Sequence, residues 1–408
     1  MEKAKINMGV SNQQKKYTVH DPYFWKITIS LALASFFVFA SMYAVQPLLP
    51  VFVSVFNVSV SQSSMTLSLT IIGLIAGLII LGFLSDRKGR TMFIKLSLIG
   101  SIVPFLLVPL LDSFSALLLL RLVQGFALAG LPAASLAYLN EEVDPKSIGV
   151  ATALYISSNA LGGMAGRVMT GYITDHYSWE IAFYFLAIIG LFVFLIVLIM
   201  LPESRFYQQS KLSFRKDLTG FLYHLRNPSL ILVFGMGIIL QMSFTGVWSF
   251  LPFHLQEEPF SLSLHAISYM FFAYGLGVIG APLAGWVAGY FGLRKVRMLG
   301  IIILSLGVFL TLSHSLPIIV IGLCVSCLGF FTAHSLTATS VTDQADHHKG
   351  SASSLYLVAY YIGVSLGSTA LAPLWEKSGW LGLIIFVGCL PITYLIFVRM
   401  VSIRFART

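Results

Sequence analysis

The chain has 408 residues, of which 57% are hydrophobic and 10% charged, against about 45–50% and about 25% in soluble globular chains. So few charges cannot coat a soluble protein of this size, which excludes a cytoplasmic enzyme, and the apolar surplus excludes a disordered chain. The formal charge of +9 raises nucleic acid as a partner, and the distribution of that charge, given below, removes the need for one.

A bilayer core about 30 Å thick takes about 20 apolar residues in helical form. Twelve such runs follow in chain order: 27–51, 65–84, 92–110, 114–139, 148–173 and 181–201, then after a polar stretch 230–253, 266–288, 296–312, 316–341, 352–374 and 380–400. The first is preceded by Lys3, Lys5, Lys15, Lys16 and Lys26, like the charged start of a secretory signal. It is too long for the apolar part of a signal, and a second span follows after a short turn, so a retained helix is expected.

Lysine and arginine stay on the cytoplasmic side of a membrane. With the N-terminus inside, the inner segments hold 22 of the 25 basic residues: five in the N-tail, then Arg87, Lys88, Arg90 and Lys95, then Lys146, then Arg205, Lys211, Arg215, Lys216 and Arg226, then Arg294, Lys295 and Arg297, then Lys349, and finally Arg399, Arg404 and Arg407. Lys377 is the one outer residue, and Arg121 and Arg167 lie within spans. Both termini are therefore expected in the cytoplasm, with the basic surface facing anionic lipid.

The chain repeats at about 200 residues, a signature of duplicated transporter halves. Gly82 and Gly89 match Gly285 and Gly292, Leu49-Pro50 matches Leu251-Pro252, and Gly162 and Gly166 match Gly363 and Gly367. The expected organisation is a six-helix half over 1–201, a cytoplasmic linker over 202–229 and a second six-helix half over 230–408. A shift without inversion puts the symmetry axis along the membrane normal. In the linker, Phe214, Leu218, Phe221, Leu222 and Leu225 recur at helical spacing, which predicts an interfacial amphipathic helix rather than a loose tether.

At this point the motifs carry a family. The run Gly82-Phe83-Leu84-Ser85-Asp86-Arg87-Lys88-Gly89-Arg90 resembles the loop signature of the major facilitator superfamily, and Arg121-Leu122-Val123-Gln124-Gly125 resembles its fourth-helix motif. Twelve spans in two halves about a long central loop are that family's layout. Tyr43 to Pro50, with Asn159 and Gly162 to Arg167, look most like a bacterial branch near the drug:proton antiporters. The resemblance implies an all-α membrane fold, a multi-pass place in the bacterial inner or plasma membrane, a transport function and a conformational latch in the signature loop.

The latch also has a reading of its own. Gly82 and Gly89 permit a tight connection, and Asp86 lies among Arg87, Lys88 and Arg90, able to pair with them or to let them pair with Glu141 and Glu142. The alternative is charge that only sets topology. The second copy has Gly289 where Asp86 stands, so an asymmetric latch is expected.

Arg121 and Arg167 are the costly residues, since a charge deep in a membrane is placed at an expense of at least about 2.5–3.5 kcal/mol and faces a wet cavity or a partner. Both fall in the outer third, at the depth of Tyr43 and Gln46; snorkelling to the surface is the alternative. Arg167 replaces the proline of the antiporters' Gly-Pro pair. The spans hold no acid, a departure from the many proton-coupled relatives with a deep carboxylate. That leaves Arg121 with an edge carboxylate as the coupling group, if any; His334, the one histidine well inside a span, reads first as a neutral, hydrogen-bonded helix contact, with titration near neutral pH as the alternative.

No phosphate-binding loop, metal-ligand set or nucleophile motif stands out, so no cofactor, no metal and no enzyme activity are expected. Cys324 and Cys327 form a C-x-x-C spacing inside an apolar run and read as packed small residues. The expected cavity lining is Tyr43, Gln46, Arg121, Gln124, Asn159 and Arg167 from the first half with Gln241, Trp248, Tyr274, His334 and Tyr360 from the second. Aromatic faces, amides and uncompensated cations suit an amphipathic organic solute, anionic or not. The expected function is secondary transport by alternating access, read as proton-coupled efflux by a monomer. The alternatives are uptake or exchange of a small anionic metabolite, a lipid flippase on the same scaffold, a receptor, or a membrane-embedded transferase.

Overall fold

The computed structural model describes residues 15–209, 214–347 and 349–405. The expected topogenic residues Lys3, Lys5, Lys211 and Arg407 lie outside these, as do the side chains of Phe214, Arg215, Lys216, Leu218 and Arg404. No strand occurs among the described residues; one isolated bridge joins Tyr17 to Val143. Among the described residues, ten helical stretches are long and apolar enough to cross a membrane. Ile199, Ile279 and Phe192 are 83%, 66% and 64% exposed on the outer faces of these helices, an apolar surface that lipid accepts and water does not.

The first half starts with α1 (Pro22–Tyr43), a 3-10 turn over Gln46–Leu48 and α2 (Leu49–Phe56). The sequence predicts one unbroken helix here. Pro47 and Pro50 have no N–H to continue it, and the resulting bend puts Gln46 on the inner wall. Next come α3 (Val60–Lys88), α4 (Arg90–Leu107), the pair α5 (Phe114–Leu128) and α6 (Gly130–Glu142), α7 (Ile148–His176) and α8 (Trp179–Met200). The predicted fourth span is thus two helices that meet at Ala129, just before Gly130 and Pro132.

α9 (Phe214–Leu225) lies in the join and packs on α10 and α15. The second half holds α10 (Pro228–Gln256), α11 (Leu264–Tyr269), a 3-10 turn over Met270–Tyr274, α12 (Gly275–Phe291), α13 (Leu293–Leu310), α14 (Leu316–Gln344), α15 (Lys349–Ser365), a π turn over Leu366–Ala370 and α16 (Ala372–Phe405), kinked at Gly379. Two predicted spans are not among these ten: α13 carries Arg294, Lys295 and Arg297 within its 18 residues, and α15 has only 17 residues before its π turn.

Each half packs its first helix against its fifth through glycine. A Cβ on Gly162 would lie 2.1 Å from the Phe36 carbonyl oxygen, and one on Gly166 2.4 Å from that of Ala40, both on α1. In the second half the same positions, Gly363 and Gly367, would meet the Ile238 and Met242 carbonyls of α10 at 2.5 and 2.6 Å. Only hydrogen at Cα allows these helix backbones to approach so closely. The residue Tyr17 before α1, the end of α6 and Arg205 after α8 meet at one end of the bundle, called the near end below; the opposite end is the far end.

Hydrogen bonds across the halves gather toward the far end. Ser61 N–H donates to Glu376 Oε1 at 3.1 Å, Ser68 and Thr369 hydroxyls meet at 2.7 Å, and Leu264 N–H donates to Asp175 Oδ1 at 3.0 Å. Leu49 of the first half belongs to the hydrophobic core of the second.

Candidate functional site

Arg167 lies about two-thirds of the way along α7, on the seam between halves, and is 3% exposed. Its Nε donates to Gln46 Oε1 at 2.6 Å and its Nη1 to the Gly163 carbonyl at 2.6 Å. Its Nη2 makes no hydrogen bond, and no carboxylate pairs with it, among the described residues. Three rings surround the guanidinium instead: Tyr43 at 4.0 Å, Tyr274 at 4.6 Å and Phe271 at 5.4 Å. Cation–π attraction offsets part of the desolvation cost, by up to about 2 kcal/mol when dry.

The cage is shared. Tyr43 ends α1 in the first half, whereas Phe271 and Tyr274 come from the 3-10 turn before Gly275 in the second. Gln46 Nε2 donates across the seam to Ser249 Oγ at 3.1 Å, so its amide links Arg167 to α10. Trp248, fully buried, packs its ring 5.0 Å from Phe271 and 4.7 Å from Tyr274. Two buried polar atoms of α10 have no hydrogen-bond partner among the described residues, Trp248 Nε1 and Gln241 Oε1; the Gln241 amide nitrogen donates to Thr245 Oγ1 at 3.0 Å. Buried polar atoms are nearly always paired, so such atoms invite a ligand or water.

His334 and Tyr360 stand toward the near end, on α14 and α15. The Tyr356 hydroxyl is 2.9 Å from His334 Nδ1, the imidazole stacks on Phe330 with centroids 5.5 Å apart, and Tyr360 lies 4.8 Å from it. His334 and Tyr360 are half-buried.

Arg121 and Gln124 are placed differently. Arg121 is fully buried in the first half, donating to the carbonyls of Ser41 at 3.2 Å, Met42 at 2.9 Å and Thr66 at 3.3 Å, and to Gln124 Oε1 at 2.5 Å. Gln124 Nε2 then donates to the Ser101 carbonyl at 2.7 Å. This arginine braces α1 and α3 around the bend after α1. Asn159 is half-buried and accepts a hydrogen bond from Ser35. The structure therefore brings together Tyr43, Gln46, Arg167, Trp248 and Tyr274, and keeps Arg121, Gln124 and Asn159 in separate contacts.

At the near end, Arg90 pairs with Asp86 and with Glu141, 3.0 Å from Nη2 to Oε1. Gly89 has a φ of +102°, a conformation that disfavours side chains, and Gly292 repeats it at +87°. Gly82, by contrast, has room: a Cβ would come no nearer than 3.9 Å to Ala133, so the tight connection expected there is supplied by Gly89 alone. Arg87 folds back, donating to the Phe83 carbonyl at 2.8 Å.

Sequence reasoning missed the start of the linker. Glu142, buried, accepts from Ser204 Oγ at 2.7 Å and from the N–H groups of Arg205 and Phe206 at 2.6 and 2.9 Å. Tyr207 donates to the Asp86 carbonyl at 3.0 Å. Glu203 takes Lys95 Nζ at 2.7 Å and the Thr91 hydroxyl, which hold its carboxyl below the usual carboxylate range. An acid at the start of a linker rich in cations was the available signal. Ser249, beside Trp248, and Phe271, in an aromatic run before glycine, were also overlooked.

The family model described as Major Facilitator Superfamily matches residues 31–259 and 233–406. An uncharacterized MFS-type transporter of Bacillus subtilis, YybF, is 34% identical over 363 residues, covering 89% of this chain and 90% of that protein. The inner membrane transport protein YnfM of Escherichia coli is 33% identical over 378 residues, covering 92% and 90%. Among solved structures, a bacterial homolog of the human lysosomal transporter Spinster, in its inward-facing and unoccupied conformation, superposes with a TM-score of 0.76 at 16% identity over 93% of this chain and 96% of the other. The chain belongs to the Major Facilitator Superfamily and is a multi-pass cell-membrane transporter, not an enzyme.

Proposed function

We propose that this protein moves an amphipathic organic anion by alternating access, with the Arg167 cage as the point that reads the negative end. The carrying observation is a buried guanidinium with no carboxylate partner, held by aromatic rings from both halves. In a low-dielectric seam an unpaired cation favours an anion strongly, and Arg presents a planar fork to carboxylates. Trp248 Nε1 and Gln241 Oε1 offer a second donor and an acceptor. Tyr360 and His334 continue the route toward the near end, while Arg121, Gln124 and Asn159 support its walls.

Alternation follows from the shared cage. Rocking one half carries Arg167 and Gln46 away from Phe271, Tyr274 and Ser249, so the site opens to one end only after losing contacts that a bound anion can replace. In this reading α13 and the α15 segment with its π turn complete twelve spans in halves over 1–201 and 230–408, with both termini in the cytoplasm. The Asp86, Arg90 and Glu141 cluster, with Gly89, Arg87 and Glu142 around it, is the cytoplasmic latch, and one chain forms the whole route.

Direction and coupling are read as proton-linked efflux. The likeness to drug:proton antiporters supports it, but Arg167 in place of their proline and the acid-free spans count against it. The uncompensated cation favours uptake or exchange of an anionic metabolite as the second reading. Proteoliposome flux tests both. Arg167→Ala should lower the flux of a carboxylate solute about 10–100-fold, the loss expected for a buried charge-assisted bond, while leaving protein yield unchanged. Wild-type flux in that variant would refute the anion site, and a pH step that drives no flux would remove proton coupling.

A further inference from the structure

One cluster of titratable side chains outside the cage joins the halves at the far end. Asp175 and His176 close α7 of the first half, and His265 lies in the first turn of α11 of the second. Asp175 Oδ2 is 2.5 Å from His265 Nδ1, which also lies 3.1 Å from Ser263 Oγ, and Asp175 Oδ1 accepts from Leu264 N–H. His176 Nδ1 lies 2.9 Å from the carbonyl oxygen of Tyr172. A carbonyl can only accept, so the His176 proton sits on Nδ1 and its Nε2 keeps a lone pair; at His265 a bound ion takes the place of the proton shared between Nδ1 and Asp175 Oδ2, which leaves both atoms as ligands.

His176 is thus arranged as metal-binding imidazoles are, with one ring nitrogen fixed by a carbonyl and the other free to ligate. The two rings are neighbours, tilted at 53° with centroids 5.3 Å apart, and ligand atoms from Asp175, His176 and His265 all fall within 4.8 Å of one another. At a tetrahedral ion with bonds of about 2.0–2.1 Å, two ligand nitrogens stand about 3.3 Å apart, a separation within reach of a small shift of the exposed His176 side chain. A crevice of about 700 Å³, lined by Asp175, Ser178, Ser263 and Leu264, gives ions access from the far end.

We propose that Asp175, His176 and His265 form a site for a divalent transition-metal ion such as Zn²⁺, and that an ion bound there ties α7 to α11 and holds the far end shut. Two imidazoles and a carboxylate suit Zn²⁺, Ni²⁺ or Cu²⁺ and disfavour Mg²⁺ or Ca²⁺. Metal binding stands on these residues alone, whereas the clamping rests on the alternating-access reading.

The test uses the purified full-length protein in detergent. Titration calorimetry with Zn²⁺ is expected to give one ion per chain, weakened at least tenfold in His176→Ala and in His265→Ala, and Co²⁺ on the unaltered protein should give the visible absorption of a tetrahedral ion. Spin labels at Ser54 and Lys377 should report a far-end distance that Zn²⁺ narrows to its short population and EDTA releases. Stoichiometry unchanged in the double variant, or no cobalt spectrum, overturns the site. Binding without any effect on the label distance overturns the clamp. A protein that binds Zn²⁺ and is clamped by it, yet carries no anion, refutes only the transport proposal.

Discussion

The two halves make the same contact and then diverge one residue later. Gly166 and Gly367 both let the fifth helix of their half touch the first at a carbonyl, but the next residue is Arg167 in one half and Ser368 in the other. By the shift that matches Leu49 to Leu251, Gln46 faces the seam where the second half has Trp248, and by the shift that matches Gly82 to Gly285, Asp86 stands where the second half has Gly289. The glycines set backbone separation, which both halves need for packing. The side chains beside them are free to differ, and the first half carries the cation and the Asp86, Arg90 and Glu141 ion pairs while the second carries rings and unpaired polar atoms.

The largest expected effect tests the shared part. Gly166→Val drives a side chain into the Ala40 backbone, and overpacking of that kind costs about 1–3 kcal/mol or more. Thermal melting of the detergent-solubilised protein should fall sharply, and Gly367→Val should behave alike. The control is Gly82→Ala, where there is space, with a change within about 0.5 kcal/mol. Equal damage at Gly82 would mean that the close glycine contacts do not set helix separation.

A middle effect tests the divergent part. Asp86→Asn removes a charge-assisted partner of Arg90, worth about 1.4 kcal/mol or a tenfold change, so flux should fall roughly tenfold with membrane insertion intact. Gly289→Asp in the second half should not restore it, because Leu293 stands where Arg90 does. Unchanged flux in Asp86→Asn would reduce the loop to topogenic charge.

The smallest effect concerns the strap from the linker to the first half. The Glu203 carboxyl is held below its ordinary value of 4.5 by Lys95 and Thr91. A lowered folded value means that the attachment stabilises above the unfolded pKa and is lost as pH falls through the folded one. Proteolysis within 202–209 should therefore quicken on acidification, and Glu203→Gln should abolish that step. A pH response that survives the substitution would assign it elsewhere.

Much of this molecule was legible in its sequence because lipid imposes long apolar runs and close packing imposes glycine. The paired glycines on the fifth helices announced the duplication, and Arg167, an expensive residue at depth, announced the seam. Arg121 announced itself by the same signal and proved to serve carbonyls of Ser41, Met42 and Thr66, because depth gives the cost of a charge and not its partner. The partners Ser249 and Phe271 depend on which face of α10 and which turn after α11 meet α7. The Asp175, His176 and His265 cluster spans about ninety residues of chain, a distance over which no local pattern speaks.

Rocking of the halves about the Arg167 cage is the claim on which the account turns. Electron–electron distance measurements in proteoliposomes, with one label pair at Ser54 and Lys377 and another at Lys88 and Lys295, follow both ends of the bundle in one protein. The account predicts opposite shifts of the two distances when a carboxylate solute is added, and none in Arg167→Ala. Flux of that solute with both distances fixed would contradict it.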